Sequence, residues 1–265
     1  MTTAPLALAA VMLFPMAAQA ADAPSALEAS RHRLQSADYR ASGHLIRVQA
    51  NGIRISYPIT IKAHWFPGVL RVYVEIADAA KSGTNSAVTA HTITRVLLEM
   101  RPGGKNTILT AQNGDKQAQS LPFEKWSEGL LGTAFSYEDF LEAQYFWAEQ
   151  TALGEKKFGS RDCDGLKSRP DATDQTHYAE VTSWLDHGNG FPVYVEKTLN
   201  NGAVKEFTSF GIRQEGGVWS AHQIEAKMRG QAGSTLLIID RGTPKAHLSM
   251  KDFSSEQLTH FQDGK

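Results

Sequence analysis

The chain predicts a mainly β protein, one antiparallel sheet running up and down with helical insertions. Three observations carry that prediction. Apolar residues alternate in twos over long stretches, and Asn-Gly or Gly-Gly pairs punctuate those stretches at short intervals. Between the pairs, β-branched and aromatic residues dominate, the composition that suits a pleated, half-buried surface. The densest such region is 178–240, which reads as strands 178–186, 191–199, 203–212, 218–229 and 234–240. His187-Gly188-Asn189-Gly190, Asn200-Asn201-Gly202, Gln214-Glu215-Gly216-Gly217 and Gly230-Gln231-Ala232-Gly233 supply the turns between them. In the second of these strands Phe191, Val193 and Val195 share one face, and Pro192, Tyr194, Glu196 and Thr198 share the other.

Residues 1–20 stand apart. Leu6 to Met16 is a short apolar core, and Ala18-Gln19-Ala20 is a small-residue cleavage signal, so this stretch reads as a secretory signal peptide. No Lys or Arg precedes the apolar core, where a charged start is the norm. The core falls short of the roughly 18 apolar residues that a membrane-spanning helix needs. Export places the mature chain, 21–265, in the periplasm as one domain. The single cysteine, Cys163, rules out an internal disulfide and does not follow the cleavage site, so it is not a lipidated first residue.

After the cleavage site, 24–35 reads as a short helix, with Asp22 as N-cap, Pro24 in the first turn, and Leu27 and Leu34 as a narrow apolar stripe. Strands come next at 45–48 and 53–65 around the Asn51-Gly52 hairpin signal, with Ile53, Ile55, Tyr57, Ile59 and Ile61 on one face. Residues 69–76 continue the sheet past Pro67-Gly68, with Leu70, Val72 and Val74 on one side and Arg71, Tyr73 and Glu75 on the other. Residues 77–90 read as a loop, and 92–100 with 106–111 as a hairpin turning at Arg101-Pro102-Gly103-Gly104. The main helical insertion is expected between Pro122 and Trp147. Ser136 and Asp139 have the spacing of a capping box, Phe135 and Phe140 that of a hydrophobic staple, and Glu138 and Asp139 suit the positive end of a helix dipole. This insertion carries Trp126, Leu130, Leu131, Phe135, Phe140 and Leu141, and the open face of the curved sheet is where they can rest.

Chemistry is sparse. The formal charge of −1 offers no basic field for nucleic acid or anionic lipid heads. No nucleophile elbow, P-loop, zinc-protease helix or dinucleotide glycine fingerprint occurs. The nine histidines have no partner at zinc spacing, Asp162-Cys163-Asp164 reads as a solvated turn, and Asp171, Asp174, His177 and Tyr178 read as a loop entering a strand. No enzyme activity, metal or cofactor is expected. The chain does have an excess of large apolar side chains, in the first half of the sheet and in the insertion.

Several segments in order resemble one family. They are Gly132-Thr133-Ala134-Phe135-Ser136-Tyr137-Glu138-Asp139-Phe140, the strand ending in Trp184-Leu185-Asp186, Phe191-Pro192-Val193, Gly217-Val218-Trp219, Ser234 to Ile239, and Asp252-Phe253-Ser254 to Leu258. Together they resemble the LolA/LolB-like superfamily of bacterial outer-membrane lipoprotein-sorting proteins. The resemblance implies a strongly curved antiparallel sheet, an incomplete barrel, covered by helices around an apolar cavity. It implies a carrier of lipoprotein or other lipid acyl chains, and the chain looks closer to the branch associated with resistance-nodulation-division exporters of the inner membrane. The alternative is an accessory protein that docks a transporter without carrying cargo; a lipid hydrolase ranks behind both. The residues expected to line the cavity are Trp65, Leu70, Val72, Val74, Leu97, Phe135, Phe140 and Trp147. The protein is expected to act as a monomer and to bind no nucleic acid.

Overall fold

The computed structural model describes residues 23–78 and 92–260. The expected signal peptide, the Asp22 cap and most of the expected loop at 77–90 lie outside these. Helix α1 (Ala23–Gln35) leads into β1 (Asp38–Val48), β2 (Arg54–Phe66), β3 (Val69–Ala77), β4 (Ile93–Met100), β5 (Thr107–Gln112) and the short β6 (Gln119–Ser120). Four 3-10 turns come next, at Phe123–Lys125, Leu130–Gly132, Tyr137–Phe140 and Ala143–Phe146. The chain then makes β7 (Glu149–Phe158), β8 (Arg161–Arg169), β9 (Tyr178–Asp186), β10 (Pro192–Leu199) and β11 (Val204–Phe210). A small hairpin, β12 (Arg213–Glu215) and β13 (Val218–Ser220), precedes β14 (Gln223–Met228) and β15 (Ser234–Pro244). A 3-10 turn at Met250–Phe253 and helix α2 (Ser255–Thr259) close the described chain. Among the described residues, no helix is long and apolar enough to cross a membrane.

Thirteen strands form one sheet in the order β6-β5-β4-β3-β2-β1-β15-β14-β11-β10-β9-β8-β7, and β12 pairs only with β13. The chain therefore meanders outward from β1 to β6, crosses to the opposite edge, and meanders back until β15 pairs with β1. The sheet curves without closing. Residues 121–148 are the crossing, and they span the concave face between the two edges.

Register explains the layers. Ala41 faces Ile61, Ile61 faces Val74, and Val74 faces Val96, so one apolar row crosses four strands. Period-two alternation places Tyr57, Ile59, Ile61, Leu70, Val72, Val74, Leu98 and Met100 together in the main core on the concave side. On the other side of β3–β5, Tyr73, Leu97 and Ala111 pack under Leu248, Phe253 and Leu258 of the C-terminal segment. Helix α1 buries Leu27 and Leu34 as expected. Its Ser30 Oγ donates to the carbonyl of Gly190 at 3.0 Å, and a Cβ at Gly190 would come within 2.6 Å of the Ala29 Cβ, so only glycine allows this approach.

Three expectations change. Ser136 does cap with Asp139 as a capping box, but the element it opens is the 3-10 turn Tyr137–Phe140. The left-handed Glu142 (φ 47°, ψ 38°) then interrupts any continuation, so the cover is a string of turns and not a long helix. The expected strand 218–229 is broken between β13 and β14, where the chain leaves the small hairpin and His222 exchanges hydrogen bonds with the backbone of Ile239. Finally, β7 and β8 are strands that alternation did not announce. Asp162-Cys163-Asp164 is not a solvated turn but lies within β8, paired with β7 on one side and β9 on the other, with Cys163 and Asp164 buried.

Candidate functional site

The concave face is occupied in two ways. Over β2–β5 and β9–β11, the crossing segment fills it. Trp126, Leu130, Phe135, Leu141, Tyr145 and Trp147 are all buried in the same core as Leu70, Val72 and Val74. Trp65 stacks on Phe146 with centroids 5.6 Å apart, and Phe135 meets Phe140 at 6.0 Å and Phe207 edge-on at 5.5 Å. The crossing segment thus acts as a plug of aromatic and aliphatic groups.

A buried polar knot fastens that plug to the sheet. Asp139, at the end of the capping box, accepts hydrogen bonds from the Ser136 backbone N–H (2.8 Å), Ser136 Oγ (2.8 Å) and the Tyr178 hydroxyl (2.7 Å). Lys197 Nζ reaches its Oδ1 and Lys205 Nζ its Oδ2, both at 2.9 Å. All three charged side chains are nearly inaccessible to solvent. Burial works against the Asp139 charge, but Lys197 and Lys205 outweigh it and hold the carboxyl well below the usual range. Its neighbour Glu138 goes the other way: burial, and then the charge of Asp139, raise it. Glu138 Oε2 accepts from the His177 backbone N–H at 3.2 Å and from Thr176 Oγ1 at 3.3 Å. Its Oε1 lies 3.4 Å from His177 Nδ1 without the alignment of a hydrogen bond, leaving both atoms unsatisfied.

Beside the plug, the concave face is open. A cavity of about 170 Å³ lies beneath α1 and the β12–β13 hairpin. Ile61, Phe191, Val218, Trp219, Ile224 and Leu237 are among its mainly apolar walls. The hairpin is a flap, tied at its base by Arg161, whose guanidinium donates to the Ile212 carbonyl at 2.9 Å. The polar rim joins the cavity to the plug. Arg33 of α1 forks onto Glu142 and lies 5.4 Å over the Phe191 ring. Burial opposes the Arg33 charge, yet the Glu142 carboxylate outweighs that and raises it above its ordinary value. Tyr39, also lining the cavity, is pushed up to about 12 by burial and by Glu142. The arrangement can hold a hydrocarbon group.

Of the residues expected to line a cavity, Trp65, Leu70, Val72, Val74, Phe135, Phe140 and Trp147 come together in the concave core, but beneath or within the plug. Leu97 does not join them. It faces the opposite layer with Tyr73, because the unbroken apolar run Val96-Leu97-Leu98 hides which residues share a face. The cavity's own walls were not singled out for this role, although Phe191-Pro192 and Val218-Trp219 belong to the segments that carry the family resemblance. Sequence reasoning misses Lys197 and Lys205; the one available signal is that Lys197 continues the face of Phe191, Val193 and Val195. Away from the concave core, the fold brings Glu155, Asp164 and His187 within 4.8 Å at the β7–β9 edge, a group that no sequence spacing shows.

A family model described only as an uncharacterised protein matches residues 116–260, more than half of the chain. No curated protein matches. Among solved structures, a domain from Vibrio parahaemolyticus described as an outer membrane lipoprotein-sorting protein aligns with a TM-score of 0.75 at 20% identity. A DUF1329 family protein from Desulfovibrio piger aligns at 0.71 and 13% identity, and a LolA superfamily protein from Nitrosomonas europaea at 0.61 and 15%. Each alignment covers 89% of this chain and 99% of the other. At these identities the likeness is one of fold.

Proposed function

Because the chain belongs to the family whose model spans residues 116–260 and has the LolA superfamily fold, we propose that it is a periplasmic carrier that shields the hydrocarbon part of a lipid or lipoprotein from water. The observation that carries this reading is the apolar cavity under the β12–β13 flap, bordered by Glu142 of the crossing segment. Burial of each CH₂ favours such a site over water by about 0.8 kcal/mol. As it stands, about 170 Å³ is below the roughly 300–1,000 Å³ of ordinary ligand pockets. The cavity therefore takes the end of a chain first, and a whole tail requires residues 121–148 to move away. Leu70, Val72, Val74 and Trp65 would then line the enlarged groove, with Phe135, Phe140 and Trp147 on the moving side. The partner we propose is an inner-membrane exporter of the resistance-nodulation-division type, on the strength of the sequence resemblance.

Native mass spectrometry of gently purified protein tests the reading: it predicts a bound amphiphile, or uptake of a fluorescent fatty acid by the empty protein. A second reading, an accessory protein that docks a transporter without cargo, is favoured by the filled state of most of the concave face. It is also favoured by the ten-residue edge strand β7, which leaves one side unpaired among the described residues. A protein that takes up no hydrophobic probe yet pulls down a membrane transporter would decide for it.

A further inference from the structure

At the β7–β9 edge, the fold assembles a set of metal-ligating side chains that the carrier reading does not use. Glu155 of β7 and Asp164 of β8 are direct cross-strand partners. Opposite residues point to the same side of an antiparallel sheet, so the two carboxylates stand together. Asp164 pairs on its other side with Leu185 of β9, and His187 follows two residues later. Alternation therefore gives His187 the face that Leu185 and Asp164 share. A hydrogen bond from its backbone N–H to the Asp162 carbonyl, at 2.9 Å, holds it there. Its Nδ1 lies 3.0 Å and 3.2 Å from the two oxygens of Asp164. One donor atom from each of the three side chains lies within 4.8 Å of the other two.

Charge sets this cluster apart. Two carboxylates facing each other across a strand pair repel, and among the described residues neither is bridged by a lysine or arginine. Lys157, next along that face of β7, bridges instead to Asp162 at 3.2 Å. The Asp164 side chain is only 11% exposed, which makes an unanswered charge there costly. One imidazole is thus the sole counter-group for two carboxylates. Elsewhere His44 meets Asp240 and His64 meets Asp38, but among the described residues no third ligand joins either pair.

We propose that Glu155, Asp164 and His187 bind a divalent transition-metal ion of the zinc type. Zinc holds carboxylate oxygen and imidazole nitrogen at about 2.0–2.2 Å, and tetrahedral geometry then sets neighbouring ligand atoms about 3.3 Å apart. His187 Nδ1 and Asp164 Oδ2, 3.0 Å apart, nearly meet that spacing already. Glu155 is exposed, so its side chain is free to rotate onto the ion. The imidazole nitrogen selects zinc over magnesium and calcium, which take oxygen ligands. Calcium also needs about six to eight oxygens, and two carboxylates offer four at most. Three protein ligands leave the fourth zinc position to water. The ion ties the edge strand β7 to β8 and to the turn after β9, whether or not the cavity holds a lipid.

The test is calorimetric titration of the purified, tag-free protein with zinc chloride, with calcium chloride and magnesium chloride as controls. The expected result is one saturable zinc site, no saturable calcium or magnesium binding, and a melting temperature that rises with zinc. Glu155→Gln and His187→Gln, both at exposed positions, should each weaken zinc binding at least about tenfold and remove the melting shift. His44→Gln, which breaks a histidine–carboxylate pair without a third ligand, should leave both readings unchanged. If one of the two site variants unfolds, the other decides. Absence of saturable zinc binding, unchanged affinity in the site variants, or calcium binding as tight as zinc overturns the assignment. A protein that then still takes up a fluorescent fatty acid loses this site and keeps the carrier function.

Discussion

Lys197 and Lys205 stand opposite one another across β10 and β11, and each donates a hydrogen bond to a different oxygen of Asp139. Two like charges side by side in a core are tolerable only because one carboxylate, a tyrosine hydroxyl and a serine hydroxyl share them. The knot is the polar fastening of a cover that is otherwise held by aromatic packing, and it ties residues distant in sequence.

Replacing Asp139 with Asn should therefore destabilise the protein by about 3–5 kcal/mol, since both ammonium groups stay buried without their counter-charge. Thermal unfolding monitored by circular dichroism checks this. Asp139 is depressed in the folded protein, so its contribution is present above the unfolded carboxyl value and is lost only as pH falls toward its low folded value. The knot should survive mild acid. If the variant stays folded, the plug should open more readily and uptake of a fluorescent fatty acid should quicken.

Glu138 predicts the opposite behaviour one residue away. Its folded value is raised, so wild-type stability from this group is full below the unfolded carboxyl value and declines as pH rises through the folded one. Glu138→Gln keeps an acceptor for the His177 N–H and Thr176 Oγ1 and removes the buried charge. The variant should melt higher than wild type at neutral pH, with the gain shrinking as the pH falls toward about 4. A lower melting point at neutral pH would show that Glu138 is paired more strongly than its unsatisfied Oε1 indicates.

Ala221 lines the apolar cavity and is buried. Ala221→Leu should fill part of the space at little cost or with a small gain in stability, because the added methyl and methylene groups enter a void and not a packed core. Uptake of an alkyl probe should fall markedly. Equal uptake by a well-folded variant would move the binding site away from the flap.

Leu97 and Leu98 separate the two layers. Each truncated to alanine should cost about 2–5 kcal/mol, but with different local effects. Leu97→Ala loosens the cover formed by Leu248, Phe253 and Leu258, so limited proteolysis should begin near residues 248–258. Leu98→Ala weakens the concave core, and cleavage should begin in the crossing segment instead.

Much of the fold was legible in particular residues. Asn51-Gly52 and Asn201-Gly202 mark hairpins because Gly52 and Gly202 must take positive φ, and both do, at 83°. Strand 178–186 is β9, residue for residue. Alternation does not announce β7, because Glu155, Lys156 and Lys157 obscure it on an edge. The start of the insertion's first turn is encoded locally by Ser136 and Asp139, but its course is not, since nothing local announces the left-handed turn at Glu142. The site was harder still. Which apolar residues line a void and which fill it depends on how residues 121–148 lie over the sheet, a long-range outcome that period-two patterns do not encode. The Asp139 knot joins residues up to 69 positions apart, beyond any motif.

The carrier function stands or falls on whether the concave face admits a hydrocarbon chain. Titrating the protein with a fluorescent fatty acid, in wild type and in Ala221→Leu, measures this most directly. Saturable binding in wild type that collapses in the filled variant is the predicted result. No binding in wild type, with the plug intact and the fold unperturbed, would contradict the carrier function.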